Sequence, residues 1–197
     1  MSARSITAVF VAAAFASVAP GAVAQGAADK KMDKPAGAMG TPKPAAEMAK
    51  LKFFDGSWAC SGQGSMEPGG AMMKMDSSVK SHSDLGGFWQ SGTVKGTAMA
   101  GMPAFEGMFH MTWDPASKQY VMLFVDNMGG RSETRAPGWA GDTLVFTGEG
   151  QMGADKMGMR DTFVRKTDRS MTHVGEMQVK GQWVKMMDET CRKSAAH

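Results

Sequence analysis

The sequence predicts an all-β fold: a closed or nearly closed antiparallel up-and-down β-barrel of about ten strands, preceded by a short N-terminal helix. Three observations carry that prediction. No stretch after Gly56 keeps a helical period over ten residues. Short strand-like runs instead recur between Gly, Pro and Asp punctuation, and one segment, Phe105 to Gly130, reads as a hairpin with a single register. Consecutive strands with short connections make a meander, and closing it removes its exposed edges.

Taken in order, residues 1–24 have the layout of a secretory signal. Arg4 supplies the positive start, Ile6 to Ala19 form an apolar run of 14 residues, Pro20-Gly21 breaks it, and Ala22-Val23-Ala24 is a small-x-small cleavage site. Fourteen residues fall short of the roughly 20 that a membrane-crossing helix needs. The expected product is therefore exported, periplasmic or secreted, after cleavage near Ala24, with no integral membrane segment in the mature chain. Residues 25–43 are Ala, Gly, Lys, Pro and Asp with scattered Met, too little apolar surface to offset the entropy of ordering, and read as a disordered linker. The barrel domain is placed at 44–193 and a tail at 194–197.

The helix is expected from Pro44 to Phe53. Pro44 suits a first turn, Met48 and Leu51 share a face, and Asp55-Gly56 ends it. The strands follow at Ser57 to Gly64, Met73 to Asp84, Phe88 to Thr97, Ala104 to Trp113, Tyr120 to Asn127, Gly130 to Arg135, Thr143 to Gly148, Lys156 to Lys166, Ser170 to Val179 and Gln182 to Arg192. In the hairpin, Asp114-Pro115 supplies turn chemistry, and a loop of Asp114 to Gln119 pairs Trp113 with Tyr120, Met111 with Met122, Phe109 with Phe124 and Gly107 with Asp126. A slip of one residue would turn the whole apolar set to the other face.

Charge excludes some partners. Without residues 1–24 the chain has 21 Lys plus Arg against 19 Asp plus Glu, too balanced for a nucleic-acid or anionic-membrane surface. The two cysteines, Cys60 on the first strand and Cys191 on the last, become neighbours in a closed meander, and an oxidising compartment permits a disulfide there. Two buried free thiols are the alternative.

Gly56-Ser57-Trp58 with Gly62 and Gly64 resembles the G-x-W opening of calycin-type barrels. Phe105-Glu106-Gly107, Trp113-Asp114 and Asp126-Asn127-Met128-Gly129 resemble the signature of domain-of-unknown-function family 1579, an uncharacterised and mainly bacterial group, over about Leu51 to Lys193. The resemblance implies a lipocalin-like or fatty-acid-binding-protein-like barrel, a fold that usually holds a small apolar ligand. It brings no established activity.

The expected ligand-binding residues are Trp58, Phe105, Phe109, Met111, Trp113, Tyr120, Met122, Phe124 and Asp126, the inner face of the hairpin with the first-strand Trp. Asp126 shares that face and is read as a solvated rim group. A filled barrel acting through its outer surface is the alternative. Val121, Leu123 and Val125 make the outer face of the same hairpin apolar, as an interface, a covering helix or a homo-oligomer would require. Of 21 methionines, Met73 with Met75, Met157 with Met159, and Met108 with His110 stand two apart and so on one strand face, while Met99 and Met102 stand three apart. Thioethers and imidazoles suit copper, especially Cu(I), whereas Met also fills apolar interiors.

Calycin-like barrels related to nitrobindins hold haem through one His, which makes His173 and His110 formal candidates; a surface or satisfied His is the simpler reading, and no cofactor is predicted. Gly148 to Gly153 matches G-x-G-x-x-G without the helix that dinucleotide binding needs, and reads as a strand-to-turn connection. No G-x-S-x-G, H-E-x-x-H, C-x-x-C or Walker loop occurs, and adjacent Asp188 and Glu189 face opposite ways on a strand, so the sequence leans away from an enzyme.

Overall fold

The structure is a computed structural model that describes residues 41–97 and 103–194. The expected signal segment, most of the expected linker, Met99, Met102 and most of the expected tail lie outside the described residues.

Among the described residues, eleven strands follow a short helical cap. The cap is α1 (Met48–Leu51), continued by a 3-10 turn at Lys52–Phe54. The strands are β1 (Gly56–Gly64), β2 (Met73–Asp84), β3 (Trp89–Gly96), β4 (Glu106–Asp114), β5 (Gln119–Asp126), β6 (Arg131–Ala136), β7 (Trp139–Ala140), β8 (Thr143–Met152), β9 (Asp155–Thr167), β10 (Ser170–Val179) and β11 (Gln182–Lys193). All neighbours pair antiparallel, β6 pairs with β8, and β1 pairs with β11. Ten strands thus close into a barrel, and β7 is a two-residue spur on β8.

The hairpin register is the expected one from Gly107 opposite Asp126 to Trp113 opposite Tyr120, and the ladder runs one pair into the expected loop, to Asp114 opposite Gln119. Asp114 holds the turn by accepting from the Ala116 backbone N–H at 3.0 Å and the Ser117 hydroxyl at 2.7 Å.

Other details differ from the sequence reading, among them the helix, the G-x-G-x-x-G segment and β7. The helix is four residues long, because its turns close through i to i+3 bonds such as Met48 N–H to Ala45 C=O at 3.1 Å, and Pro44 precedes it. The G-x-G-x-x-G segment is strand through Met152, with only Gly153 in the turn, because Gly148 and Gly150 pair with β6 and β9. β7 was not expected at all.

The helical cap plugs one end of the barrel. Met48, Leu51 and Phe54 are buried against Trp58, Met111, Tyr120, Met122, Leu144, Phe146 and Met171. Hydrogen bonds fix the plug to the wall: Trp58 Nε1 donates to Phe54 C=O at 2.9 Å, Tyr120 Oη to Glu47 C=O at 2.8 Å, and Gln90 Nε2 to Asp55 Oδ1 at 2.8 Å. Each gives a buried or half-buried polar group a partner that an open barrel end would not supply.

At the β1–β11 seam Cys60 stands directly opposite Cys191, and the two form a disulfide with their Cα atoms 4.0 Å apart. Cross-linking positions 131 residues apart removes about 5 kcal/mol of chain entropy from the unfolded state in the loop-closure model. Beside the seam, a side chain on Gly62 would collide with the Asp188 carbonyl and the Glu189 backbone, so this inward position tolerates only hydrogen.

Two outcomes follow. The Cys60→Ser/Cys191→Ser double variant should lose up to about 5 kcal/mol in urea unfolding, with an unchanged far-UV spectrum at zero denaturant. The Gly62→Ala variant should lose about 1–3 kcal/mol from the same steric cause; unfolding midpoints within error of the parent would contradict it.

Candidate functional site

Strand registers define which side chains point inward. Cys60 faces in, so its cross-strand partners Ser77 and Cys191 do too, and the parity propagates around the barrel. At the plugged end the inward residues are large and buried. Toward the other end they change in kind: Gly62, Gly64, Gly148, Gly150 and Gly175 alternate with Met73, Met75, Met157, Met159, Met177 and Met187.

The methionines lie over the glycines. A side chain built on Gly64 would strike Met75 Sδ at 2.6 Å, one on Gly150 would strike Met159 Cγ at 2.6 Å, and one on Gly175 would strike Met187 Cγ at 2.8 Å. Phe105 and Phe124, rings stacked at 6.2 Å and 10° apart in plane, close the hairpin side. These inner side chains stay partly accessible: Met75, Phe124, Met157, Met159, Met177 and Met187 are all half-buried, and Met73 is 43% exposed. The inner face of the unplugged half, hereafter the chamber, is therefore partly open to solvent. Two open clefts of about 450 and 620 Å³ lie elsewhere, one over the outer face of β1 and β11 and one beside the plug.

A charged cluster forms the chamber floor. His173 on β10 stands between Asp161 on β9 and Glu189 on β11, with Nε2 3.0 Å from Asp161 Oδ1 and Nδ1 3.2 Å from Glu189 Oε1. Ser77 Oγ donates to Glu189 Oε2 at 3.1 Å, and the imidazole stacks on Phe163 at 4.3 Å. The His173 side chain is 14% exposed, Asp161 19% and Glu189 5%. Burial alone would push the imidazolium pKa down; hydrogen bonds to Asp161 and Glu189, and their charges, outweigh it and raise the value to about 9. Below that value both ring nitrogens carry N–H groups, one directed at each carboxylate.

The residues expected from the sequence divide between the two ends. Trp58, Phe109, Met111, Tyr120 and Met122 are buried in the plugged half, and half-buried Trp113 packs edge-on to Tyr120 at 5.0 Å. Phe105 and Phe124 border the chamber. Asp126 is a turn residue whose Oδ1 accepts from the Met128 and Gly130 N–H groups at 2.9 and 2.8 Å. Met108 and His110 face outward, where His110 Nδ1 meets Ser91 Oγ at 2.9 Å. The floor residues Asp161 and Glu189 were missed as a pair. Their signal was an acid at an inward position, Asp161 sharing a face with Phe163 and Met159.

The His173 cluster sets a pH dependence. A folded pKa of about 9 against an ordinary 6.5 means that its stabilisation is complete below about pH 6.5 and is lost as pH rises toward 9. The loss should be on the order of 3 kcal/mol. Unfolding free energies measured from pH 6 to 9 should fall for the parent protein and stay flatter for His173→Gln.

Comparison with known proteins agrees with this architecture. Among solved structures the chain is similar to Rv2717c from M. tuberculosis, at 14% identity and a TM-score of 0.60, over 77% of this chain and 99% of that one. It is also similar to the S-type phycobiliprotein lyase CPES from Guillardia theta, at 11% identity and a TM-score of 0.50, over 78% of this chain and all of the other. At these identities the likeness concerns the fold alone. No curated protein matches the chain. The family described as "Protein of unknown function (DUF1579)" matches residues 43–193, and the chain belongs to that family.

Proposed function

We propose that the barrel binds a small, largely apolar molecule in its methionine-walled chamber. The observation that carries this reading is the contrast between the two ends. One is filled by aromatic side chains and a plug, and the other is lined by glycines and half-buried methionines. Glycine at an inward barrel position removes volume, and methionine supplies an apolar surface that reshapes around its contents. The likeness to a phycobiliprotein lyase is compatible with a small-molecule role for the fold and adds no ligand identity.

The floor narrows the ligand's polar end. Two carboxylates against one imidazolium leave an excess formal negative charge, so a fatty-acid carboxylate would meet repulsion there. A neutral head that donates hydrogen bonds, or a cationic one, suits Asp161 and Glu189 better. Export of the mature protein is part of the proposal and rests on the layout of residues 1–24.

The neutral fluorophore N-phenyl-1-naphthylamine tests the chamber. Saturable binding should be lost in Met177→Trp, which fills the space, and decanol or decylamine should displace the probe better than decanoate. Absence of saturable binding to the folded parent would favour a filled barrel acting through its outer face, where Met108, Leu123 and Val125 are exposed.

One observation favours a second reading. Met73, Met75, Met157, Met159, Met177 and Met187 come from four strands yet share the inner face of one end. Thioethers bind Cu(I) well. Calorimetric titration with Cu(I) showing no binding tighter than about micromolar would remove this reading.

A further inference from the structure

A different feature lies at the plugged end, outside the chamber. An open cleft of about 620 Å³ runs between the helical cap, β7 with the turn that follows it, and the ends of β9 and β11. Lys50, Lys52, Arg165 and Lys193 line it against a single acid, Asp168. None of these four cations forms a salt bridge among the described residues.

Arg165 is the centre of the arrangement. Its guanidinium carbon sits 4.4 Å from the Phe53 ring centroid and 4.7 Å from that of Trp139, so two aromatic faces fix its position and orientation. Lys193 Nζ lies 5.7 Å from the same Phe53 ring.

Hydrogen bonding gives an independent observation. Three buried side-chain polar atoms among the described residues have no partner: Thr134 Oγ1, Trp139 Nε1 and Arg165 Nε. Two of the three belong to side chains of this cleft, and both are N–H donors that can only be satisfied by an acceptor. A buried donor without a partner costs free energy, and folded proteins seldom leave two together. Elsewhere in the interior Gln90, Tyr120, Trp58 and His173 all have partners, and Thr134 Oγ1 is the exception.

We infer that this cleft is a binding site for a small oxyanion, a carboxylate or phosphate group, with Arg165 as its anchor and Trp139 Nε1 as a second donor. Guanidinium presents several donors in a plane that matches two oxygens of such a group, and the ring faces hold it ready. Lys50, Lys52 and Lys193 add attraction without fixed geometry. The ligand class is the reverse of that proposed for the chamber, so the two sites do not compete.

Amide and indole NMR spectra of the mature chain test this directly. Inorganic phosphate and benzoate, each at ionic strength matched with sodium chloride, should move the Trp139 indole N–H and the Arg165 Nε–H resonances saturably. Trp139→Phe identifies the indole peak by deleting it. Arg165→Gln should weaken half-saturation about tenfold or more, as the loss of a charged bidentate donor requires. Lys185→Gln, on the outer surface, should leave it unchanged, and peak dispersion reports whether each variant is folded. If Arg165→Gln does not fold, Lys193→Gln replaces it and should weaken binding by a smaller factor. Shifts equal to those in chloride alone, shifts spread evenly over surface lysines, or binding only to phosphatidylglycerol vesicles would each overturn the site. Phosphate should not displace N-phenyl-1-naphthylamine, so failure of one site leaves the other's test standing.

Discussion

Everything inside this protein depends on the pairing of β1 with β11. Without it the ten barrel strands would form an open sheet with two free edges, and inward and outward would have no meaning for half of its residues. With it, a single parity runs around the ring, and Cys60, Ser77, Glu189 and Cys191 share one interior. The disulfide and the Gly62 contact both lie in this seam, so covalent and steric constraints act on the same strand pair. The plug then has a defined opening to fill.

Closure also divides the interior by chemistry. Where α1 enters, aromatic rings pack, and the polar tips of Trp58, Tyr120 and Gln90 reach a carbonyl or carboxylate of the plug. Beyond the His173 cluster the wall thins to glycine and the volume passes to methionine. The imidazolium with its two carboxylates marks the boundary, tying β9, β10 and β11 together by hydrogen bonds perpendicular to none of the backbone ladder's purposes: it orders side chains, while the ladder orders strands. Gln90 plays a smaller version of the same part between Asp55 and Ser81. Arg165 and Trp139 break this pattern of mutual satisfaction, which is why their cleft stands apart.

Much of the fold was legible because it rests on local rules. The hairpin announced its register through three apolar cross-strand pairs and a turn that begins with Asp-Pro. The cysteines became neighbours as soon as the strands were counted and the meander was closed. The candidate site was less legible for a physical reason. A hairpin spans the whole barrel, so its inner face supplies residues to both ends, and Met111 and Tyr120 fall in the filled half while Phe105 and Phe124 border the chamber. The floor comes from β9, β10 and β11, whose mutual register no short turn motif announces and where a bulge at Gly175/Glu176 shifts the pairing. His173 could be seen as an inward histidine, but not that two acids 12 residues before and 16 residues after it would meet its two nitrogens. A two-residue strand such as β7 lies below what alternation can reveal.

The seam carries a last consequence, for the order of folding. Nearly every pairing joins strands adjacent in the chain, and such hairpins need only short loops to close. Apart from β6 with β8, which skips only the two-residue β7, the exception unites the first strand with the last, across 131 residues between the cysteines. Distant contacts of this kind slow folding, because the entropy of a long loop must be lost before the contact rewards it. Strands β1 to β11 can therefore assemble into a curved ribbon with an unpaired edge on each side before the two ends meet. The disulfide and the enclosure of the interior come into existence only when this seam closes, whereas the His173 cluster needs no more than the meander of β9, β10 and β11.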